Sequence, residues 1–155
     1  MSVRTGYPGT SSAGDVFHSS DVTKLPGGWI GYVEKTTSQT GISTITDITS
    51  LSVTVTVGTN RSILITGHFG TITTTATADV KGFIREGSTT LGTFVDDTIT
   101  STGRAGGEGS VFLQPTGGSH TYKLSMSVSA GTGDLAANAT DPGPAWILVQ
   151  DLGPV

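Results

Sequence analysis

Imidazole, paired carboxylate and glycine-rich backbone are the chemical resources this chain offers, and in each case spacing decides what they can do. The histidines are His18, His68 and His120. They stand far apart, and none sits in an HxxxH or HExxH spacing that brings two ligands to one metal. His68 falls on an expected strand and His120 at a strand start, so both read as hydrogen-bonded or solvated surface residues. Asp96 and Asp97 are adjacent. Neighbours on a strand point to opposite faces, which defeats shared acid–base work and joint metal ligation. The stretch "GRAGGEG", Gly103 to Gly109, lacks the lysine and the following helix of a phosphate cradle, so it reads as a mobile loop. No serine sits in a GxSxG elbow. "NRS" and "NAT" match the glycosylation sequon in form only. These spacings predict no catalytic residue, no metal site and no cofactor: the chain reads as a non-enzyme.

Composition narrows the partners. Over 155 residues, hydrophobic side chains make up 34% and glycine adds 23 residues, enough for one domain with a real core. Charged residues make up 13%, against about 25% in ordinary soluble domains. Serine and threonine replace them as the solubilising groups. Lys+Arg 8 against Asp+Glu 12, with no basic cluster, leaves no footprint for a phosphate backbone, so no nucleic acid is expected. Cysteine is absent, which excludes disulfides and thiolate metal sites. No run approaches the roughly 18 apolar residues of a membrane span, and none is expected. The opening "MSVRTGYPGTSSAGDV" has no apolar h-region, so synthesis in the cytoplasm without a signal peptide is expected.

The elements that must position any functional group are strands. "SLSVTVTVG" places Leu51, Val53, Val55 and Val57 on one face and Ser52, Thr54 and Thr56 on the other, the period of a half-buried strand. "RSILITGHF" puts Ile63, Ile65 and Phe69 in phase, and "SHTYKLSMSVS" does the same for Tyr122, Leu124, Met126 and Val128. "TADVKGFIREG", "TTLGTFVDDTIT" and "GSVFLQP" alternate less cleanly but are rich in β-branched and aromatic residues. Turn clusters recur at the spacing of a sandwich or barrel. The fold class expected is all-β, an antiparallel two-sheet sandwich of jelly-roll type over residues 28–155. Its core is drawn from Leu51, Val53, Val55, Ile63, Ile65, Tyr122, Leu124, Met126, Ile147 and Val149.

Residues 1–27 read as an extended N-terminal arm, rich in Gly, Ser, Thr and Pro, with large side chains only at Tyr7, Val16, Phe17 and Leu25. Ser19 or Ser20 is placed to cap a single helical turn that Pro26 and the glycines after it stop. At the other end, "PAWILVQDL" is mostly apolar on both faces of a strand: Ala145, Ile147 and Val149 on one, Trp146, Leu148, Gln150 and Leu152 on the other. One face meets the core; the second needs a cover from the arm or from another subunit.

The segments "GDVFHSSDVTKLPGGWIGYVEKT" and "GPAWILVQDLGPV" resemble small virion proteins of tailed bacteriophages, especially those infecting actinobacteria. In that group an arm with a GDVxxxxDVxxLP-like segment leads into an all-β domain closing on a PA-aromatic-IL-V-x-D-x-GP strand. The resemblance implies a non-enzymatic protein on the particle surface, trimeric, serving as a capsid decoration, head fibre or minor tail protein. It implies contact with the major capsid protein or a tail protein. Tyr7, Val16, Phe17, Leu25, Trp29, Trp146 and Leu148 are the residues expected to serve assembly and attachment. A second reading makes the domain a tail-fibre tip or minor tail module. There Trp29, Tyr32 or the Gly103–Gly109 region touches a host receptor or surface glycan. A buried arm favours the first reading, and a concave, exposed aromatic platform the second.

Overall fold

The structure, a computed structural model, describes residues 27–138 and 143–155. The expected arm anchors Tyr7, Val16, Phe17 and Leu25, and the helical turn at Ser19 or Ser20, lie outside the described residues. Strands run β1 Gly28–Lys35, β2 Gln39–Ile42, β3 Thr46–Val57, β4 Arg61–Thr74, β5 Ala78–Glu86, β6 Thr89–Ile99, β7 Ala105–Leu113, β8 Gly118–Val128, β9 Gly133–Ala136 and β10 Ala145–Pro154. Among the described residues no helix is long and apolar enough to cross a membrane.

All pairings are antiparallel and form two sheets. Sheet B has the order β3-β8-β5-β6. In sheet A, β4 pairs with β7 along one edge, while its other edge takes β10 over Arg61–His68 and β9 over Thr71–Thr74. β1 lies outside β10 and β2 outside β9, so β1/β2 and β10/β9 each fill one strand position. Sheet A therefore reads β1/β2, β10/β9, β4, β7. The chain alternates between sheets except at the β5–β6 hairpin and the consecutive β1–β2 and β9–β10 pairs. This is jelly-roll topology.

The core lies between the sheets, where the period-two faces meet. Leu51, Val53 and Val55 of β3, and Tyr122, Leu124 and Met126 of β8, point inward from sheet B; Ile63, Ile65 and Phe69 of β4, and Ile147 and Val149 of β10, point inward from sheet A. Every residue expected in the core is buried. The ends of β4 and β10 are tied by Arg61 and Asp151: Nε donates to both carboxylate oxygens at 3.0 Å, and Nη2 to Oδ2 at 2.6 Å.

One sequence expectation is overturned. The glycine-rich stretch is no loop: Ala105 to Gly109 opens β7 and pairs with β4, His68 opposite Glu108 and Gly67 opposite Gly109. Glycine is depleted in strands because it leaves nothing to pack. Here space is what the site lacks. A Cβ on Gly109 would stand 2.8 Å from Phe94 Cβ of β6, where the two sheets close on each other. Phe94 fills the room the glycine leaves, packing at 4.8 Å against Phe69.

Candidate functional site: an aromatic sheet face

The two outer faces of the sandwich carry different chemistry. On sheet B, Thr54 and Thr121 share a hydrogen bond of 2.8 Å. Lys81 donates to Asp96 at 3.0 Å. Asp47 accepts from Ser125 Oγ at 2.7 Å and from Arg85 Nη1 at 3.2 Å, and pairs with Lys123. Burial alone would raise the Asp47 carboxyl, but hydrogen bonds from Lys123 and Ser125, with the charges of Lys123 and Arg85, hold it below its ordinary value. Hydroxyls and closed ion pairs make this a water-facing surface.

Sheet A is the opposite. The registers of β1, β10, β4 and β7 align outward side chains into three rows across the strands. The first is Glu34, Trp146, His68 and Glu108; the second Tyr32, Leu148, Thr66 and Ser110; the third Trp29, Gln150, Leu64 and Phe112. Trp29 is 69% exposed, Phe112 55% and Tyr32 45%. Large apolar side chains this open are ordinary when scattered and informative when contiguous.

Local backbone geometry assembles the row of rings. Trp29 and Tyr32 are three residues apart on β1, and regular alternation would send them to opposite faces. A bulge between Trp29 and Gly31 resets the register, so that Trp29 pairs with Gln150 and Tyr32 with Leu148, and both look outward. Beside the bulge Gly31 is required: a Cβ there would stand 2.6 Å from both Val53 Cγ2 and Val55 Cγ1 of sheet B.

The rings continue across strands. Trp29 and Tyr32 have centroids 6.2 Å apart and planes 24° apart; Tyr32 and Trp146 follow at 6.4 Å and 38°; Trp146 and His68 at 5.3 Å and 17°. Trp29, Tyr32, Trp146 and Leu148 line a shallow hollow of about 470 Å³. Polar groups edge it. Tyr32 Oη donates to Glu34 Oε2 at 2.9 Å; partial burial, then that bond and the carboxylate charge, raise its phenol above the ordinary value. Thr66 and Ser110 hydroxyls share a bond of 2.7 Å. His68 Nδ1 is buried without a hydrogen bond and lies 3.9 Å from Glu108 Oε2.

Of the residues singled out in the sequence, Trp29, Trp146 and Leu148 come together here, with Tyr32 between them. His68 joins them through Trp146. His120 stands elsewhere, bonded through Nδ1 to Glu86 at 2.9 Å and through Nε2 to the Thr116 carbonyl at 2.8 Å. Asp96 and Asp97 serve different partners, Lys81 and the Thr98 amide. Leu64 and Phe112 belong to the face and were not singled out; outward phase against Ile63, Ile65 and Val111 was the available signal. Among the described residues no cluster of His, Asp and Glu is arranged to hold a metal ion.

No protein-family model matches the chain, and no curated protein matches it in sequence. Solved structures match in backbone. Murine APRIL at pH 5.0 aligns over 79% of this chain and 99% of its own, at 9% identity and a TM-score of 0.38. The CBM22-1 xylan-binding domain of Paenibacillus barcinonensis Xyn10C aligns over 81% and 88%, at 14% identity and a TM-score of 0.32. The VP2 subviral particle of infectious bursal disease virus aligns over 80% and 37%, at 12% identity and a TM-score of 0.40. The likeness is to the fold alone, a jelly-roll sandwich found in viral capsid proteins and carbohydrate-binding modules.

Proposed function

We propose that this chain is a non-enzymatic structural protein of a tailed-phage particle. It forms a trimer, sits on the particle surface as a decoration or head-fibre protein, and is held to the major capsid protein by residues 1–27. The observation that carries this reading is the second apolar face of β10, where Trp146 and Leu148 look outward from sheet A beside β1. Sheet B turns hydroxyls and closed ion pairs outward, whereas sheet A turns outward a face that includes these apolar side chains. The resemblance of "GDVFHSSDVTKLPGGWIGYVEKT" and "GPAWILVQDLGPV" to phage virion proteins supplies the setting.

The arm supplies the attachment. Its anchors Tyr7, Val16, Phe17 and Leu25 stand among small and polar residues, and burying a side chain such as Phe17 contributes about 1.5–3 kcal/mol. Three copies in a trimer multiply that contribution. Deleting residues 1–25 should leave the β-domain folded and abolish incorporation into particles, measured as copies per purified particle. Phe17→Ala should weaken incorporation more than any single change in Gly103–Gly109. Wild-type occupancy of the truncated protein overturns the arm as the anchor. A monomeric mass at every protein concentration tested counts against the trimer.

The exposed rings Trp29 and Tyr32 favour a second placement, at a tail tip or minor tail position where this face meets a host receptor or glycan. Labelling of intact particles with an antibody to the chain, read by electron microscopy, separates head from tail.

A further inference from the structure

We infer that the outer face of sheet A is a binding site for a neutral carbohydrate chain, seated across Trp29, Tyr32 and Trp146. The inference rests on the preceding reading only for where the site is displayed; the chemistry of the site stands on its own.

A pyranose ring has two kinds of surface, a face of C–H groups and a rim of hydroxyls. It calls for open aromatic rings under the face and hydrogen-bonding groups at the rim, the pattern of a mainly apolar site with a few placed polar groups. The face provides both. Trp29, Tyr32 and Trp146 follow one another with centroids 6.2 and 6.4 Å apart across β1 and β10, and the first two are the most exposed. Beside them stand Gln150, opposite Trp29, and Glu34, opposite Trp146. Gln150 has an amide that both donates and accepts. Glu34 accepts the Tyr32 hydroxyl with one oxygen, and carboxylate oxygens have further lone pairs for sugar hydroxyls.

Charge selects the class of glycan. The three rows across β1, β10, β4 and β7 contain the carboxylates of Glu34 and Glu108 and no lysine or arginine. A sulfated, phosphorylated or sialylated chain would meet carboxylates without a cation; a neutral one meets acceptors for its hydroxyls.

Size argues against a second copy of this chain as the occupant. Four strands about 4.8 Å apart and three rows about 7 Å apart give a footprint on the order of 400 Å². A stable protein–protein interface needs about 800 Å² from each partner. The face is half that.

Both tryptophans of the chain, Trp29 and Trp146, lie on this face, so indole fluorescence reports it without a label. The purified full chain is titrated with neutral gluco-, xylo-, manno- and galacto-hexasaccharides, and in parallel with a heparin oligosaccharide. The expected result is a saturable fluorescence change with at least one neutral sugar. Tyr32→Ala should bind it about tenfold more weakly, while Thr54→Ala on the opposite sheet binds as the wild type. Tyr32 is half exposed, and thermal unfolding checks that its variant is folded. A second variant, Trp29→Ala, should lose affinity in the same way while the remaining Trp146 signal reads the titration. Absence of a change with every neutral sugar at millimolar concentration overturns the proposal. So does binding of heparin alone, or a fluorescence change that follows protein concentration and rising mass without sugar. Failure here leaves particle incorporation untouched, and failure of incorporation leaves this titration untouched, so the two readings fall separately.

Discussion

Trp29 and Tyr32, three residues apart on a single strand, stand side by side on one face of sheet A with ring centroids 6.2 Å apart. The bulge between Trp29 and Gly31 makes this possible, and Gly31 lets β1 approach sheet B closely enough to keep it. Gly31→Ala drives a methyl to 2.6 Å from the side chains of Val53 and Val55. It should destabilise the fold by about 1–3 kcal/mol, the range for overpacking a core. Urea unfolding measures the loss, and the Trp29 fluorescence of the folded variant should shift as β1 moves outward.

The pair Arg61–Asp151 is largely shielded, with side chains 13% and 14% exposed. Asp151→Ala leaves the guanidinium facing the end of β10 without its carboxylate. A loss of about 1.5–3 kcal/mol is expected, as for hydrogen bonds to charged groups. Coupling between Asp151→Ala and Arg61→Met in a double-mutant cycle should recover most of it.

Tyr122 is fully buried, and its hydroxyl has no hydrogen-bond partner. Burial, then the Glu86 carboxylate, pushes its phenol up to about 12. Tyr122→Phe removes a polar atom that gains nothing from the fold, so stability should be unchanged or rise by up to about 1 kcal/mol. A fall in Tm larger than that scale would show that the hydroxyl is satisfied in solution.

His120 gives the fold a pH dependence. Its bond to the Thr116 carbonyl, then that to Glu86, raise its pKa above the ordinary 6.5. The protonated ring is the one that can donate from both nitrogens at once. Stability from this site is therefore full below pH 6.5 and is lost as pH rises through the higher folded value. Thermal unfolding across neutral pH should show this decline in the wild type and not in His120→Gln.

Asp47 works in the opposite sense. Its folded pKa lies below the ordinary 3.8, so its contribution is present above that value and is lost as pH falls through the folded one. Asp47→Asn should flatten the acid limb of the stability profile while leaving the His120 limb in place.

The sandwich was legible because its strands obey the period of two where it matters most. Leu51–Val57 and Tyr122–Val128 alternate without interruption, and each inward residue they name is buried. Trp146 and Leu148 were legible as a second apolar face for the same reason. The aromatic row as a row was not: Trp29 and Tyr32 share a face only through a bulge, which alternation cannot show. The β7 strand was hidden because Gly109 owes its place to Phe94, a contact between residues of different strands in different sheets. What a window of sequence lacks in both cases is the neighbouring strand.

β4 finds its partners in residues 105–113, 133–136 and 145–154, and β1 pairs with β10. Sheet A therefore contains no local hairpin joining β4 to a neighbour, whereas sheet B holds the β5–β6 hairpin with its turn at Gly87. On the ribosome, β5 and β6 can zip together as they emerge, but β4 must wait for segments made much later. Pairings this distant in sequence are slow to close. Until β10 arrives, the Arg61–His68 stretch of one β4 edge offers free amides and carbonyls to any passing strand, and the newborn chain is most open to aggregation just before β10 locks the sheet.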